Sequence, residues 1–218
     1  MLLFLAMVNY GRSKLLRRTL ESFYDTTDTK KTNIVLVDNG SKDPVRNVIN
    51  DYAMRLNHII LLKENKGKPY GLNLAYDFIK ETHQSEYVMF CDSDLEFMPG
   101  WYDKMISAFI TFEKIDKIGT LSGFSFKKES MEQLHHNGKQ INIQFNPPGC
   151  TVMMNSKVFE KIGRWNESRL IRTVDTSYYK TVRAAGYKTA VMPYTVIDHT
   201  GVEQRSWESK TAKPIYFD

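Results

Sequence analysis

Two carboxylates at the end of an apolar run, Asp92-Ser93-Asp94 after Tyr87 to Cys91, are the residues best placed for chemistry in this chain. A strand that runs straight into them puts both side chains on one side of the backbone. Hard cations such as Mg²⁺ and Mn²⁺ are held by carboxylate oxygens together with substrate phosphates, so the pair suits a metal-assisted reaction of a phosphorylated substrate. A solvated loop with an N-capping aspartate is the plain structural use of the same residues. Other polar groups end other apolar runs: Asn9 and Tyr10, Asp38 and Asn39, and Asn65 to Lys68. In a parallel sheet, ligands bind beyond the carboxyl ends of the strands, so these segments are expected to meet.

What must position them is an alternation of short apolar runs with helix-period segments. Leu2 to Val8 precedes Leu16, Leu20 and Phe23, spaced i, i+4, i+7 behind Ser13 as an N-cap. Ile34 to Val37 precedes Asp43-Pro44, which opens a helix with Val45, Val48, Ile49, Tyr52 and Leu56 on one face. Proline is harmless at the first helical position, where the N–H has no partner anyway. Ile59 to Leu62 precedes Leu72, Ala75, Tyr76 and Ile79, and Tyr87 to Cys91 precedes Tyr102, Met105, Ile106 and Phe109. Near-continuous apolar strands alternating with helices predict an α/β fold whose mainly parallel sheet is covered on both faces.

After Gly119 the pattern changes. Residues 124–148 are polar and read as a mobile excursion. A strand at Thr151 to Met154, a short helix ending near Gly163, a helix from about Asp175 to Ala185 and strands near 189–197 are expected to follow. The polar segment from Gly201 reads as a closing tail.

Composition narrows the class. With 42% hydrophobic and 25% charged residues, the 218-residue chain is neither disordered nor a coiled coil. Thirty Lys and Arg against 25 Asp and Glu give a net charge of +5, which favours anionic partners: nucleotides, phosphorylated sugars, nucleic acid or acidic lipid. Cys91 and Cys150 are too few for a disulfide scaffold and read as buried thiols in a reducing compartment, implying a cytoplasmic location. The apolar start is shorter than the ~20 residues of a membrane span and lacks a basic leader, so no transmembrane segment is expected.

Six short motifs occur in one order. They are Val8-Asn9-Tyr10-Gly11-Arg12 with Leu15 to Ser22; Ile34 to Asp43 (IVLVDNGSKD); Asn65, Gly67 and Asn73; Asp92-Ser93-Asp94; Gly163 to Glu167; and Val174-Asp175 with Arg183 and Gly186-Tyr187. In this order they resemble the family 2 glycosyltransferases, whose catalytic domain has the Rossmann-like GT-A fold. The resemblance covers nearly the whole chain. It implies a single domain over 1–218, with a nucleotide-sugar-binding half at 1–100 and a smaller acceptor-side half and closing tail at 101–218. Departures are Val8 for a proline, Gly11 for an asparagine, Val174 for a glutamate and Ser177 for a second acid.

The resemblance also implies roles. Asp94 and His199 are expected to bind Mn²⁺ or Mg²⁺ directly, with Asp92 reaching the donor ribose or a metal-bound water. Val8, Tyr10, Arg12, Asp38, Asn65, Gly67, Lys68, Asn73, Asp92 and Ser93 are expected to line the nucleotide-sugar. Asp38 would accept a pyrimidine imide N–H, Tyr10 would stack near the base, and Arg12 and Lys68 would offset diphosphate charge. An Asx-turn at Asp38 is compatible with that role. Asp175 would be the general base of an inverting transfer from a UDP-sugar, although a helix N-cap is its plain structural use. The acceptor is expected to be a glycan, a lipid-linked or another hydroxyl, contacted through 124–148, 164–172 and the tail. Alternatives are a glycosyltransferase acting on nucleic acid or another polyanion, a sugar-1-phosphate nucleotidyltransferase, and a basic nucleic-acid-binding module. Only Gly11-Arg12 of a Gly-rich nucleotidyltransferase loop is present, and no nucleic-acid motif supports the last reading.

Overall fold

The structure, a computed structural model, describes residues 2–83, 85–125, 130–168 and 174–200. Its elements are β1 (Leu3–Asn9), α1 (Ser13–Thr26), β2 (Thr32–Asp38), α2 (Asp43–Tyr52), β3 (His58–Leu61), α3 (Lys68–His83), β4 (Tyr87–Asp92) and β5 (Leu95–Phe97). They continue as α4 (Trp101–Asp116), β6 (Ile118–Ser122), β7 (Glu132–His136), β8 (Lys139–Ile143), β9 (Thr151–Asn155), α5 (Ser156–Ile162), α6 (Val174–Ala184), β10 (Lys188–Val191) and β11 (Ile197–His199).

The apolar runs become strands buried on both faces. Along β1, Leu3, Leu5 and Met7 join one core and Phe4, Ala6 and Val8 the other, as the two-residue period of a strand requires. Leu16, Leu20 and Phe23 of α1, Val45 and Val48 of α2, and Met105 and Phe109 of α4 fill the first core. Leu72, Ala75 and Tyr76 of α3, Phe159 of α5, and Tyr178, Tyr179 and Val182 of α6 fill the second.

Nine strands form one sheet in the order β3-β2-β1-β4-β9-β6-β10-β8-β7. Strands β3, β2, β1 and β4 are mutually parallel, as are β6 and β10, while β9 and β8 run against their neighbours. The sheet is therefore mostly parallel with helices on both faces. Strands β5 and β11 form a separate antiparallel pair. No helix among the described residues is long and apolar enough to cross a membrane.

Three local expectations are corrected. Ser13 is the first residue of α1, and the cap position belongs to Arg12, left-handed at φ 56° and without a capping side-chain bond. Helix α2 ends at Tyr52, so Leu56 reaches the core from the following turn. The polar stretch at 130–148 contains the β7–β8 hairpin, which extends the sheet through β10. Asn137 and Gly138 both have positive φ and connect paired His136 and Lys139, the turn that Asn-Gly favours in two-residue hairpins. Buried Ile141 and Ile143 anchor it. Residues 126–129, 169–173 and the tail from Gly201 lie outside the described residues.

Candidate functional site

Parallel register assembles the site. Asn9 at the end of β1 pairs with Asp38 at the end of β2, and Val8 pairs with Asp92 at the end of β4. The strand ends therefore form a row of polar side chains along one rim of the sheet.

The first part of that row is a closed network. Asp38 is fully buried. Its Oδ1 accepts from Asn9 Nδ2 at 3.1 Å, and its Oδ2 accepts from the Ser41 backbone N–H at 3.1 Å. Ser41 Oγ in turn accepts from the Gly11 N–H at 2.8 Å, and Ser93 Oγ donates to Asn9 Oδ1 at 2.8 Å. Asp38 thus makes the local turn, and Asn9 links that turn to the Asp-Ser-Asp segment.

Beyond it lies a second loop. Asn39 Nδ2 donates to Asn65 Oδ1 at 2.8 Å, which also accepts from the Gly67 N–H at 2.9 Å. Gly67 has φ 88°, turning the chain into α3 in a conformation that glycine adopts without strain. Asn73 is buried, and its side chain is engaged by another loop. It bonds both the N–H and the C=O of Trp165, together with Glu167, and so fixes the 165–167 loop on α3. Val8 packs against Gly71 of α3. Tyr10, by contrast, is 44% exposed.

Asp94 is 5% exposed and lies among Arg12, His199 and Thr200. Its Oδ2 accepts from Arg12 Nη1 at 2.8 Å, its Oδ1 lies 3.2 Å from His199 Nε2, and its carbonyl accepts from Thr200 Oγ1 at 3.0 Å. His199 reaches it because antiparallel β11 pairs His199 with Leu95. Thr19 of α1 holds the other side, donating to the Ser93 and Leu95 carbonyls and accepting from the Leu95 N–H. One ligand atom from each of Asp92, Asp94 and His199 lies within 4.8 Å of the others. Two carboxylates and an imidazole at that spacing suit a hard divalent ion.

Lys68, at the start of α3, ties this cluster to the far half of the chain. Its Nζ lies 2.7 Å from Asp92 Oδ1, 3.3 Å from Asp175 Oδ1 and 3.2 Å from the Gly149 carbonyl. Burial alone would lower the Lys68 pKa, but Asp92 and Asp175 overcome it and raise it. Burial pushes the Asp92 carboxyl above the usual carboxylate range, with Lys68 pulling it down and Asp94 and Asp175 adding to the rise. Burial likewise raises both thiols, Cys91 and Cys150.

The structure therefore brings Arg12, Lys68, Asp92, Ser93, Asp94, Asp175 and His199 into one cluster, with Asp38 and Asn65 in the adjoining loops and Asn73 behind. The sequence placed Asn9 at a strand end without assigning it a role, and it did not single out Thr19, Ser41 or Gly149, although Thr19 and Ser41 lie within the quoted motifs. Gly149 carries no periodic signal.

Comparison with known proteins follows the same lines. The profile described as "Glycosyl transferase family 2" matches residues 5–173. A search of curated protein sequences finds no match. Among solved structures, S. aureus TarS is similar at TM-score 0.69 and 15% identity, over 90% of this chain and 36% of that one. The mannosyltransferase PcManGT from Pyrobaculum calidifontis, in complex with GDP-Man and Mn²⁺, is similar at TM-score 0.66 and 16% identity, over 89% and 55%. GalNAc-T7 with UDP, GalNAc and Mn²⁺ is similar at TM-score 0.70 and 12% identity, over 91% and 44%. In each case this chain spans less than two thirds of the other's length. These are GT-A folds.

Proposed function

The chain belongs to glycosyl transferase family 2, and from that premise we propose that it moves a sugar from a nucleotide-diphospho-sugar, UDP-sugars first, to an acceptor hydroxyl with inversion. The observation that carries this reading is the cluster of Asp92, Asp94 and His199, whose Asp92 is joined to Asp175 by the ammonium of Lys68. The Mn²⁺ and UDP named for similar structures support the same ion and nucleotide here.

Asp94 and His199 would hold Mg²⁺ or Mn²⁺ directly, with Asp92 reaching it directly or through water. When bound, the ion stabilises the departing diphosphate electrostatically. The charge balance of the protein supports this need. Asp92, Asp94 and Asp175 outnumber the permanent cations Arg12 and Lys68 in the cluster. Like charges ~4 Å apart repel by about 4 kcal/mol at an effective dielectric constant of ~20, so a diphosphate enters such a site unfavourably on its own.

Arg12, half-exposed beside Asp94, directs positive charge toward the diphosphate. Tyr10 offers an exposed ring for the base. Asp38, expected to accept the imide N–H itself, is fully buried and already accepts from Asn9 and the Ser41 N–H, so its part is to order the turn beside the base, while Asn65, Gly67 and Ser93 shape the loops around the nucleotide. Asp175 takes the proton of the acceptor hydroxyl. Attack from its side, opposite the diphosphate, inverts the anomeric carbon, and such a base is worth ~10²–10⁴ in rate. The first test is calorimetric titration of UDP with Mn²⁺ and again with EDTA. Binding that requires the cation supports the reading; equal affinity in both removes the metal from it.

A further inference from the structure

Gly149 sits against Asp175 more closely than any side chain would allow. A Cβ built on Gly149 falls 2.0 Å from Asp175 Cγ and 2.3 Å from Oδ2, far inside van der Waals contact. Gly149 is not among the glycines with positive φ, so its backbone conformation is open to other residues. The space is what requires glycine.

The backbone around it has little freedom to retreat. Three successive carbonyls are each taken by a different part of the site. Pro148 C=O accepts from Tyr179 Oη at 3.2 Å, Gly149 C=O from Lys68 Nζ at 3.2 Å, and Cys150 C=O from the Asp92 N–H at 2.9 Å. Lys68 matches three acceptors, Asp92, Gly149 and Asp175, to the three N–H bonds of its ammonium. The partly exposed Asp175 carboxylate is thereby tethered through Oδ1, against the bare Cα of Gly149 and across Lys68 from the donor-side carboxylate Asp92.

We propose that Lys68 and the bare Cα of Gly149 form a seat that aims Asp175 at the acceptor hydroxyl. Both are positioning residues: Lys68 acts by fixing the base and Gly149 by leaving room for it. The inference rests on Asp175 being the base and gives Lys68 a task beyond balancing diphosphate charge. Reacting groups must be placed to within about 1 Å, and misplacement on that scale costs roughly 10²-fold in rate.

The experiment is a double-mutant cycle on the whole chain, using UDP release from a panel of UDP-hexoses, the Kd of UDP with Mn²⁺, and the melting temperature. Gly149→Ala is expected to lower kcat roughly 10²-fold while the UDP Kd stays within about threefold. In an Asp175→Asn background the same change is expected to cost less than about twofold more, because the group it displaces is already inert. Lys68→Met also takes positive charge from Asp92 and the diphosphate, so its UDP Kd is expected to rise, but at saturating donor its loss of kcat should shrink in the Asp175→Asn background in the same way, with partial recovery in Lys68→Arg, and this decides the matter should Gly149→Ala not fold. A crystal structure of Gly149→Ala or Lys68→Met gives a readout independent of any donor: the Asp175 carboxylate should have left its present orientation. An unmoved carboxylate overturns the seat. So does an active Gly149→Ala beside an inactive Asp175→Asn, or full additivity in the cycle. An active Asp175→Asn instead overturns the base assignment itself.

Discussion

Asp94→Asn keeps the shape of the side chain and removes its charge from a position only 5% exposed. The free protein loses a charge-assisted bond to Arg12 at 2.8 Å and weakens a contact with His199 at 3.2 Å. The Arg12 side chain is 43% exposed, so water recovers most of that interaction, and the cost in stability is about 1 kcal/mol or less. The cost in ligand binding is larger. Disturbing even the outer partners of a metal site lowers affinity ~10–100-fold, so losing a charged ligand should weaken metal-dependent UDP binding by at least about 10²-fold, or ~2.8 kcal/mol. Calorimetric titration of UDP into both proteins, with Mn²⁺ and with EDTA, gives the four affinities needed. The variant in Mn²⁺ should fall to the level of the unmodified protein in EDTA. A variant that retains the Mn²⁺ enhancement to within about threefold would refute the ligand assignment.

Asn73→Ala should destabilise the fold by ~2–3 kcal/mol, because it strands the buried N–H and C=O of Trp165, yet leave the UDP Kd within about twofold. Denaturant unfolding beside calorimetry checks this, and a large loss of UDP affinity would return Asn73 to the nucleotide site. UDP and dTDP should bind more tightly than GDP or ADP; a competition series in which ADP or GDP wins would contradict it. Burial raises both thiol pKa values, so Cys91 and Cys150 should resist alkylation at pH 8 until the protein unfolds. Modification of either in the native state, followed by mass spectrometry, would show that its burial is incomplete.

The alternating half of the fold was readable because its strands are buried on both faces and its helices on one. Leu3 to Val8 and Ile34 to Val37 announce themselves as continuous apolar runs. The β7–β8 hairpin escaped because β7 exposes nearly every residue and carries no apolar alternation. Its signal was the Asn137-Gly138 turn, a backbone preference within a polar stretch. The row of carboxylates was readable for a different reason: strand ends of a parallel sheet converge, so polar residues in equivalent positions meet. What joins the row to Asp175 was not. Lys68 and Asp175 lie 107 residues apart, and the vacancy at Gly149 is a property of packing. Neither leaves a pattern in the chain. Arg12 in a left-handed conformation is similarly invisible, since nothing local favours an arginine there.

The central claim is that Asp175 removes the acceptor proton while the nucleotide is held by other residues. Asp175→Asn tests it most directly: Asp175 lies in the first turn of α6, inside the helix and not at the N-cap the sequence suggested, and asparagine preserves the size of the side chain but accepts no proton at neutral pH. The measurement is kcat for sugar transfer, taken with the UDP Kd in Mn²⁺ as the control for an intact donor site. The account predicts a fall of ~10²–10⁴ in kcat with the Kd essentially unchanged. A folded variant that binds UDP normally and turns over within about threefold of the unmodified enzyme would contradict it, and leave Asp175 as no more than the first-turn acid of its helix.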